Sequence, residues 1–470
     1  MPFHPVIEDW DTGLIAGDPL DFPGYDERRL AMAETGEAVR TGRTEHYAFI
    51  ESRFEVLGGT MGAAAGEKVV RAYDRARELR LPVVVLTRTG GARLQEGMVA
   101  LVQLARTAGA AHRHAQAGLL SLAVYGSPTT GGVLASYASL VDLRAVVAGA
   151  VVGFAGPRVA EGTLGIALPP GSHTAEAVYD HGLVDARLDP DDVASWVEAA
   201  LGLVDRALPT RSLPAWSKPA GDGGTGGGGG AWGEVLRARA AGRPSGIDRA
   251  ARLCSSWVEL RGGDPTVRVG LARVAGRRCV VVATDRYCGT GRPTPAGFRL
   301  ARRAVALAGR LGLPVVTLVD TPGADPSPAA EVDGIALEVA RTLAEFAACP
   351  TPTVSVCVGE GGSGGALALS YADRLLMCEH AIFSVIAPEG AAAILERDVT
   401  KAAEVADRLR LTSGDMLGLG VVDEVIGEDG AALDEAVGRA LDGATRGDRD
   451  RRWDAVTARW LPGSALQGGW

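Results

Sequence analysis

The chain repeats itself at long range. Leu81-Pro82-Val83-Val84-Val85-Leu86 returns as Leu313-Pro314-Val315-Val316-Thr317-Leu318, and Gly131-Gly132-Val133-Leu134-Ala135-Ser136-Tyr137-Ala138 returns as Gly364-Gly365-Ala366-Leu367-Ala368-Leu369-Ser370-Tyr371-Ala372. Each copy continues into an apolar run that ends in Ala155-Gly156-Pro157 or in Ala387-Pro388-Glu389-Gly390. A period of about half the chain is far too long for a solenoid, so the repeat predicts two copies of one domain. At roughly 200 residues each, both copies are large enough to bury a core of their own.

The break between them is marked by composition. Pro209, Pro214 and Pro219 lead into Gly221-Asp222-Gly223-Gly224-Thr225 and five further glycines through Gly230, the make-up of a flexible connector. The expected organisation is a first domain over 1–205, a linker over 206–248, a second domain over 249–445 and a polar, Arg-rich tail over 446–470. Within each half, β-branched runs (83–86, 120–124 and 146–154; then 280–283, 315–319 and 353–358) alternate with Ala/Leu/Arg-rich helical stretches. That alternation predicts α/β domains with parallel strands joined by right-handed crossovers. Glycines follow several runs directly, at Gly90-Gly91, Gly131-Gly132, Gly323 and Gly364-Gly365. In α/β folds the C-terminal edge of the strands is where ligands bind.

Charge and composition exclude several functions. A net charge of −9 disfavours nucleic acid or an anionic membrane as the main partner. Residues 1–9 have neither the basic start nor the apolar stretch of an export signal, and the apolar run 145–154 is too short to span a bilayer. A cytoplasmic protein is the expectation. The six cysteines (Cys254, Cys279, Cys288, Cys349, Cys357 and Cys378) form no C-x-x-C pair, so reduced core thiols are expected rather than a zinc or redox motif. His112 and His114 are two apart, a spacing that puts them on different faces of a helix. No metal is expected.

The double-glycine turns carry the chemistry. Where a strand gives way to a helix, successive backbone N–H groups can converge on one oxygen as it turns anionic, and side chains there would block its approach. The plain alternative, a tight turn that lets helix pack on strand, is weakened because the pair occurs at equivalent places in both copies. Gly58-Gly59 through Lys68, and Gly90-Gly91-Ala92-Arg93, are two more helix-opening segments suited to phosphate, with Lys68 or Arg93 at hand. Small-residue packing and a solvated cation would account for either segment alone.

Longer strings carry a resemblance. From about residue 18 to residue 185 the chain resembles the carboxyltransferase β subunit of bacterial acetyl-CoA carboxylase. The matching segments are Gly58-Gly59-Thr60-Met61-Gly62, Gly90-Gly91-Ala92-Arg93-Leu94-Gln95-Glu96, Pro128-Thr129-Thr130-Gly131-Gly132-Val133 and Gly153-Phe154-Ala155-Gly156-Pro157-Arg158. From about residue 259 to residue 428 it resembles the α subunit, through Asp320-Thr321-Pro322-Gly323-Ala324, Gly359-Glu360-Gly361-Gly362-Ser363-Gly364-Gly365-Ala366-Leu367-Ala368 and Ser384-Val385-Ile386-Ala387-Pro388-Glu389-Gly390. The whole is similar to the natural β–α fusions of actinobacteria.

The resemblance implies two tandem crotonase-like ββα-superhelix domains, an acyl-CoA thioester as substrate and biotin as the carrier of the carboxyl group. The implied product is malonyl-CoA. It implies that Gly131 and Gly132 donate to the thioester oxygen, and that Gly364, Gly365 and Ala366 bind the ureido oxygen of biotin. Further cofactor contacts are implied at Gly58, Gly59, Lys68, Gly90, Gly91, Ala92, Arg93, Gly156, Arg158 and Gly323. The ureido anion left when carboxybiotin gives up carbon dioxide can itself take the α-proton, which suits a site with no evident acid–base side chain. The family's site lies between the β-type half of one protomer and the α-type half of another, which implies a homodimer or larger.

Biotin carriers attach their cofactor to a lysine between methionines. Lys68, Lys218 and Lys401 are the only lysines and none is so flanked, so a separate biotin carrier protein and a biotin carboxylase are the expected partners. The sequence departs from the family in three ways. It has no cysteine before Cys254 to match the β-subunit zinc ribbon. It has only Arg286-Tyr287-Cys288-Gly289-Thr290-Gly291-Arg292 where α subunits have a longer basic stretch, and Asp325-Pro326-Ser327-Pro328 replaces a segment of different character.

Three other readings compete. A biotin-independent malonyl-CoA or malonyl-ACP decarboxylase would need only the first oxyanion site. A serine hydrolase is suggested by Gly361-x-Ser363-x-Gly365, but His380 is the only histidine after it and Asp373 is too close in sequence to sit on a separate strand. A silent scaffold subunit would have no reason to retain both glycine pairs.

Overall fold

The β-branched runs become the centres of two eight-stranded sheets in a computed structural model that describes residues 2–208 and 230–461. The chain divides between Val204 and Asp205 into two units. In the first, the strands are β1 (Glu8–Trp10), β2 (Val39–Arg43), β3 (Ala48–Ser52), β4 (Val83–Thr89), β5 (Ser121–Thr130), β6 (Leu143–Val147), β7 (Val152–Gly153) and β8 (Ala186–Leu188). They lie in the order β1-β2-β3-β4-β5-β6-β8, with β7 on the end of β5. The second unit has β9 (Cys254–Leu260), β10 (Val267–Val274), β11 (Arg277–Thr284), β12 (Val315–Thr321), β13 (Thr353–Gly362), β14 (Arg374–Cys378), β15 (Ile382–Ser384) and β16 (Glu424–Ile426), ordered β9-β10-β11-β12-β13-β14-β16 with β15 on the end of β13.

Strand for strand the two sheets are the same. In each, the first three strands pair antiparallel and all later pairs are parallel. The antiparallel margins β1–β2 and β9–β10 escaped the sequence reading, which looked for strands between helices. The expected run 146–154 is two strands, β6 and β7, separated by a turn in which the Ala150 N–H donates to the Val147 carbonyl.

The cores follow from the residue types. Val83, Val84 and Val85 on β4, like Val315 and Val316 on β12, are fully buried, as befits parallel strands covered on both faces. In the first unit the helices Ala63–Glu78 and Gln103–Gln116 pack on each other, and Val69, Ala72, Tyr73 and Ala110 meet Ile50, Val85 and Ala123 of the sheet. Helices Pro295–Leu311 and Ile335–Ala348 hold the equivalent places in the second unit.

Two segments read as connector and tail are folded. Within 206–248, helix Ala231–Ala238 packs on helix Ala402–Leu409, and Ser245 and Asp248 form a capping box that starts helix Gly246–Leu253. The glycine run 221–229 lies outside the described residues. Within 446–470, helix Asp448–Ala458 buries Arg449, which is 1 % exposed, against Asp373 at 3.1 Å. Both segments therefore belong to the second unit, because their buried arginines need the carboxylates found there.

Candidate active site

In the first unit the site is built where β4 and β5 end side by side. Thr89 pairs with Thr129 across a register shift, and both chains then turn away from the sheet. The Gly91 N–H donates to the Thr89 hydroxyl at 3.0 Å, and the Thr130 hydroxyl donates to the Thr89 carbonyl at 3.2 Å. Gly91 and Gly131 take φ of +102° and +68°. A Cβ on Gly91 would stand 2.9 Å from the Gly131 Cα, and one on Gly131 would stand 2.8 Å from the Gly91 Cα. The two turns touch backbone to backbone, which only glycine allows.

That contact decides which amides are free. The Gly131 N–H donates to the Phe154 carbonyl at 2.8 Å, so Gly131 is not the oxygen-binding donor the sequence suggested. On the two facing turns, Gly132 and Ala92 each have an N–H with no acceptor among the described residues. Gly91 brings them together, since a Cβ on it would lie 3.1 Å from the Gly132 nitrogen. Leu104 walls the other side of Gly132.

The second unit repeats this arrangement. Thr321 pairs with Gly361 after a register shift, the Gly323 N–H donates to the Thr321 hydroxyl at 3.2 Å, and Gly323 has φ of +126°. Strand β13 ends at Gly362, paired with Ser384, as β5 ends at Thr130, paired with Gly153. Ser363, at φ +55°, therefore matches Gly131, and Gly364 matches Gly132. The two Gly-Gly pairs that look equivalent in sequence are offset by one residue in space. The extra glycine, Gly365, is needed because a Cβ there would stand 3.0 Å from the Ala324 Cα. Gly364, Gly365, Ala366 and Ala324 all have N–H groups without an acceptor among the described residues. The first three open helix Ser363–Ser370, where the helix dipole also favours negative charge. A Cβ on Gly364 would meet nothing within 4 Å. An open cradle of unpartnered donors suits an oxygen that carries negative charge.

Other expected site residues fall into two groups. Gly58, Gly59, Gly90, Gly91 and Ala92 come together, with the Gly90 N–H donating to the Gly58 carbonyl at 2.9 Å and the Met61 N–H to the Gly91 carbonyl at 2.8 Å. Gly156 and the exposed Arg158 stand at the start of helix Pro157–Leu164. Arg93, expected at phosphate, is committed elsewhere, and Lys68 is buried. Arg93 is 0 % exposed, paired with Glu37 at 2.5 Å and Glu96 at 3.0 Å, and also donates to the Thr60 carbonyl. It ties the Gly58 turn to the Gly90 turn. Lys68 is 3 % exposed and its ammonium pKa is lowered by burial.

Beneath the second cradle lies a polar network that the sequence reading missed. Asp320 is fully buried, and burial raises its carboxyl pKa. One of its oxygens accepts the Glu360 N–H at 2.9 Å and faces Arg286 at 3.4 Å. Arg239 bridges Glu360 at 2.7 Å and Glu389 at 2.6 Å. Ala324 was also missed, although Thr321-Pro322-Gly323-Ala324 repeats Thr89-Gly90-Gly91-Ala92 and marks it. His380 is held by Glu234 at 3.0 Å, and no hydrogen bond joins it to Ser363 among the described residues, so the hydrolase reading has no base. No cluster of metal-ligating side chains occurs among the described residues.

Known proteins carry the same two parts. Residues 32–187 match the carboxyl transferase domain model, and residues 230–442 match the model for acetyl co-enzyme A carboxylase carboxyltransferase-like proteins. A protein of Parafrankia described as acetyl-coenzyme A carboxylase carboxyl transferase subunits beta/alpha is 40 % identical, over 93 % of this chain and 80 % of its own length. The chain belongs to the carboxyltransferases of biotin-dependent acyl-CoA carboxylases. A Salinispora arenicola carboxyltransferase of the same description is 43 % identical, over 88 % of this chain and 77 % of its own. A Mycobacterium bovis protein described as a probable biotin-dependent acyl-coenzyme A carboxylase beta3 subunit is 38 % identical, over 92 % and 88 %. Among solved structures, the transcarboxylase 12S hexamer core with methylmalonyl-coenzyme A bound superposes with a TM-score of 0.75 at 22 % identity, over 97 % of this chain and 89 % of that one. The fold of this carboxyltransferase is thus two tandem crotonase-like domains, and its reaction is carboxyl transfer to an acyl-CoA.

Proposed function

We propose that the chain is the carboxyltransferase component of an acetyl-CoA carboxylase, converting acetyl-CoA to malonyl-CoA. Biotin, delivered on a separate carrier protein after loading by a biotin carboxylase, supplies the carboxyl group. In this reading the N–H groups of Gly132 and Ala92 hold the thioester oxygen and stabilise it as an enolate. Those of Gly364, Gly365, Ala366 and Ala324 hold the ureido oxygen. The observation that carries the reading is the recurrence, at topologically equivalent strand ends, of N–H groups left without internal acceptors. Each such donor contributes roughly 3 kcal/mol to a transition state that develops an oxyanion.

Acetyl-CoA is favoured because the Parafrankia and Salinispora proteins are described as acetyl-CoA enzymes. A homodimer or larger, with the site completed between protomers, is supported by apolar side chains beside both cradles. Phe154, at 71 % exposed, and Val385, at 74 %, follow the strand residues paired with Thr130 and Gly362, and exposed apolar groups so placed mark association surfaces. Six free cysteines suit a reducing cytoplasm, and no helix among the described residues is long and apolar enough to cross a membrane.

The substrate is tested by comparing malonyl-CoA with methylmalonyl-CoA as donor to free biotin. A kcat/KM at least about tenfold higher for malonyl-CoA, the size of effect one methyl group produces in a fitted pocket, supports the acetyl reading. A preference for methylmalonyl-CoA contradicts it.

A further inference from the structure

We propose that Arg292 is a further catalytic residue, contacting the anionic head of the carboxylated biotin substrate at the second cradle. The inference rests on the biotin reading above. The segment that carries Arg292 is laid directly on the turn that opens the cradle. The Thr321 hydroxyl donates to the Gly291 carbonyl at 2.8 Å, and the Asp325 N–H donates to the Pro293 carbonyl at 2.9 Å. These bonds bracket Arg292 and fix its backbone against Thr321–Asp325. Its Nη1 then donates to the Pro322 carbonyl at 3.2 Å and lies 3.5 Å from where a Cβ on Gly323 would be. The guanidinium therefore stands beside the residue just before the unpartnered Ala324 N–H.

Its charge is uncommitted. Arg239, Arg243 and Arg286, the other arginines around these strand ends, each pair with a carboxylate. Arg292 has no carboxylate partner among the described residues, and its one hydrogen bond goes to a neutral carbonyl. It is half-buried, with part of the fork still open. A half-buried cation at the mouth of a pocket of donors is suited to a carboxylate or a ureido oxyanion, which it binds through charge-assisted, geometrically matched bonds.

The first unit shows the contrast. Around Gly91 the nearest atoms are the backbone of Gly131 and Gly132, with no cation among them. A thioester is neutral until the enolate forms, so N–H donors alone suit the first cradle. The substrate of the second is an anion before any bond is made or broken, and a full positive charge complements both its carboxylate and the ureido oxygen that free biotin also presents.

The test uses the whole chain. Phenylglyoxal, which modifies accessible arginines, is applied with and without free biotin, and modified sites are mapped by mass spectrometry. Biotin should shield Arg292 and leave Arg158 unchanged. In parallel, Arg292→Met and Arg292→Lys are assayed for transfer from malonyl-CoA to free biotin. Arg292→Met should raise the KM for biotin about tenfold or more, the loss expected of one charge-assisted contact. The KM for malonyl-CoA should stay within twofold, and Arg292→Lys should recover part of the loss. Arg292 modified equally with and without biotin overturns the proposal, even if Arg292→Met fails to fold. So does an Arg292→Met enzyme with wild-type KM for biotin. Wild-type protein that transfers nothing to biotin overturns the biotin reading itself, and this inference with it.

Discussion

At the scale of single residues, the account separates two neighbouring glycines. A methyl group on Gly364 enters open space, whereas one on Gly365 meets the Ala324 backbone. Gly364→Ala should therefore fold normally, with a melting temperature unchanged within a degree or two, yet lose about a hundredfold in transfer rate because the methyl occupies the cradle. Gly365→Ala should lose stability as well as rate. Thermal melting beside a transfer assay distinguishes the two, and an active Gly364→Ala enzyme would remove Gly364 from the site. Arg93→Ala should behave as a folding defect, costing about 3–5 kcal/mol in urea denaturation by leaving Glu37 and Glu96 buried without their partner. Paired glycines announce a close turn in sequence, but hydrogen bonding decides which amide remains free. That is why Gly131 could be named from the pattern and yet proves to be spent on Phe154. Arg93 misled for a related reason: a cation after a glycine turn reads the same whether it faces phosphate or a buried carboxylate.

At the scale of elements, the parallel strands and their covering helices were readable because β-branched runs and Ala-rich stretches alternate so regularly. The edges were not. Strands β1 and β2 have mixed composition and are held by antiparallel pairing to neighbours, while β9 and β10 pair antiparallel outside the strand–helix alternation that marks the rest. Helix Asp448–Ala458 is polar along most of its length, with mean composition typical of a solvated tail, and is fixed by Arg449 bonding Asp373 and by Trp453 stacking on Tyr371 with ring centroids 4.8 Å apart. Removing residues 446–470 should leave Asp373, which is buried, without its guanidinium and destabilise the second unit by about 3–5 kcal/mol. Differential scanning calorimetry should show one lowered transition. Unchanged melting would return the segment to the status of a tail.

At the scale of the whole molecule, the duplicated topology places the same chemical device in both units, while titratable groups make their stabilities respond differently to pH. All six cysteines lie in the second unit. Burial pushes the thiols of Cys279 and Cys378 up from 9.0 to about 11 and that of Cys254 to about 12. In the unfolded chain these thiols ionise above about pH 9, whereas the folded unit keeps them protonated, so this contribution is whole below pH 9 and is lost as pH rises toward 11–12. Urea midpoints for the second unit should fall between about pH 8 and about pH 10.5, and Cys378→Ala should reduce the fall. A flat profile would contradict the burial of these thiols.

The claim on which the functional account rests is that both cradles act in one transfer. The most direct measurement follows radiolabelled carboxyl from malonyl-CoA with and without free biotin, in wild-type, Gly132→Val and Gly364→Ala proteins. The account predicts rapid labelling of biotin by wild type, slowed about a hundredfold or more in both variants, and acetyl-CoA formed only when biotin is present. Acetyl-CoA and carbon dioxide released at the same rate without biotin, and unaffected by Gly364→Ala, would contradict it.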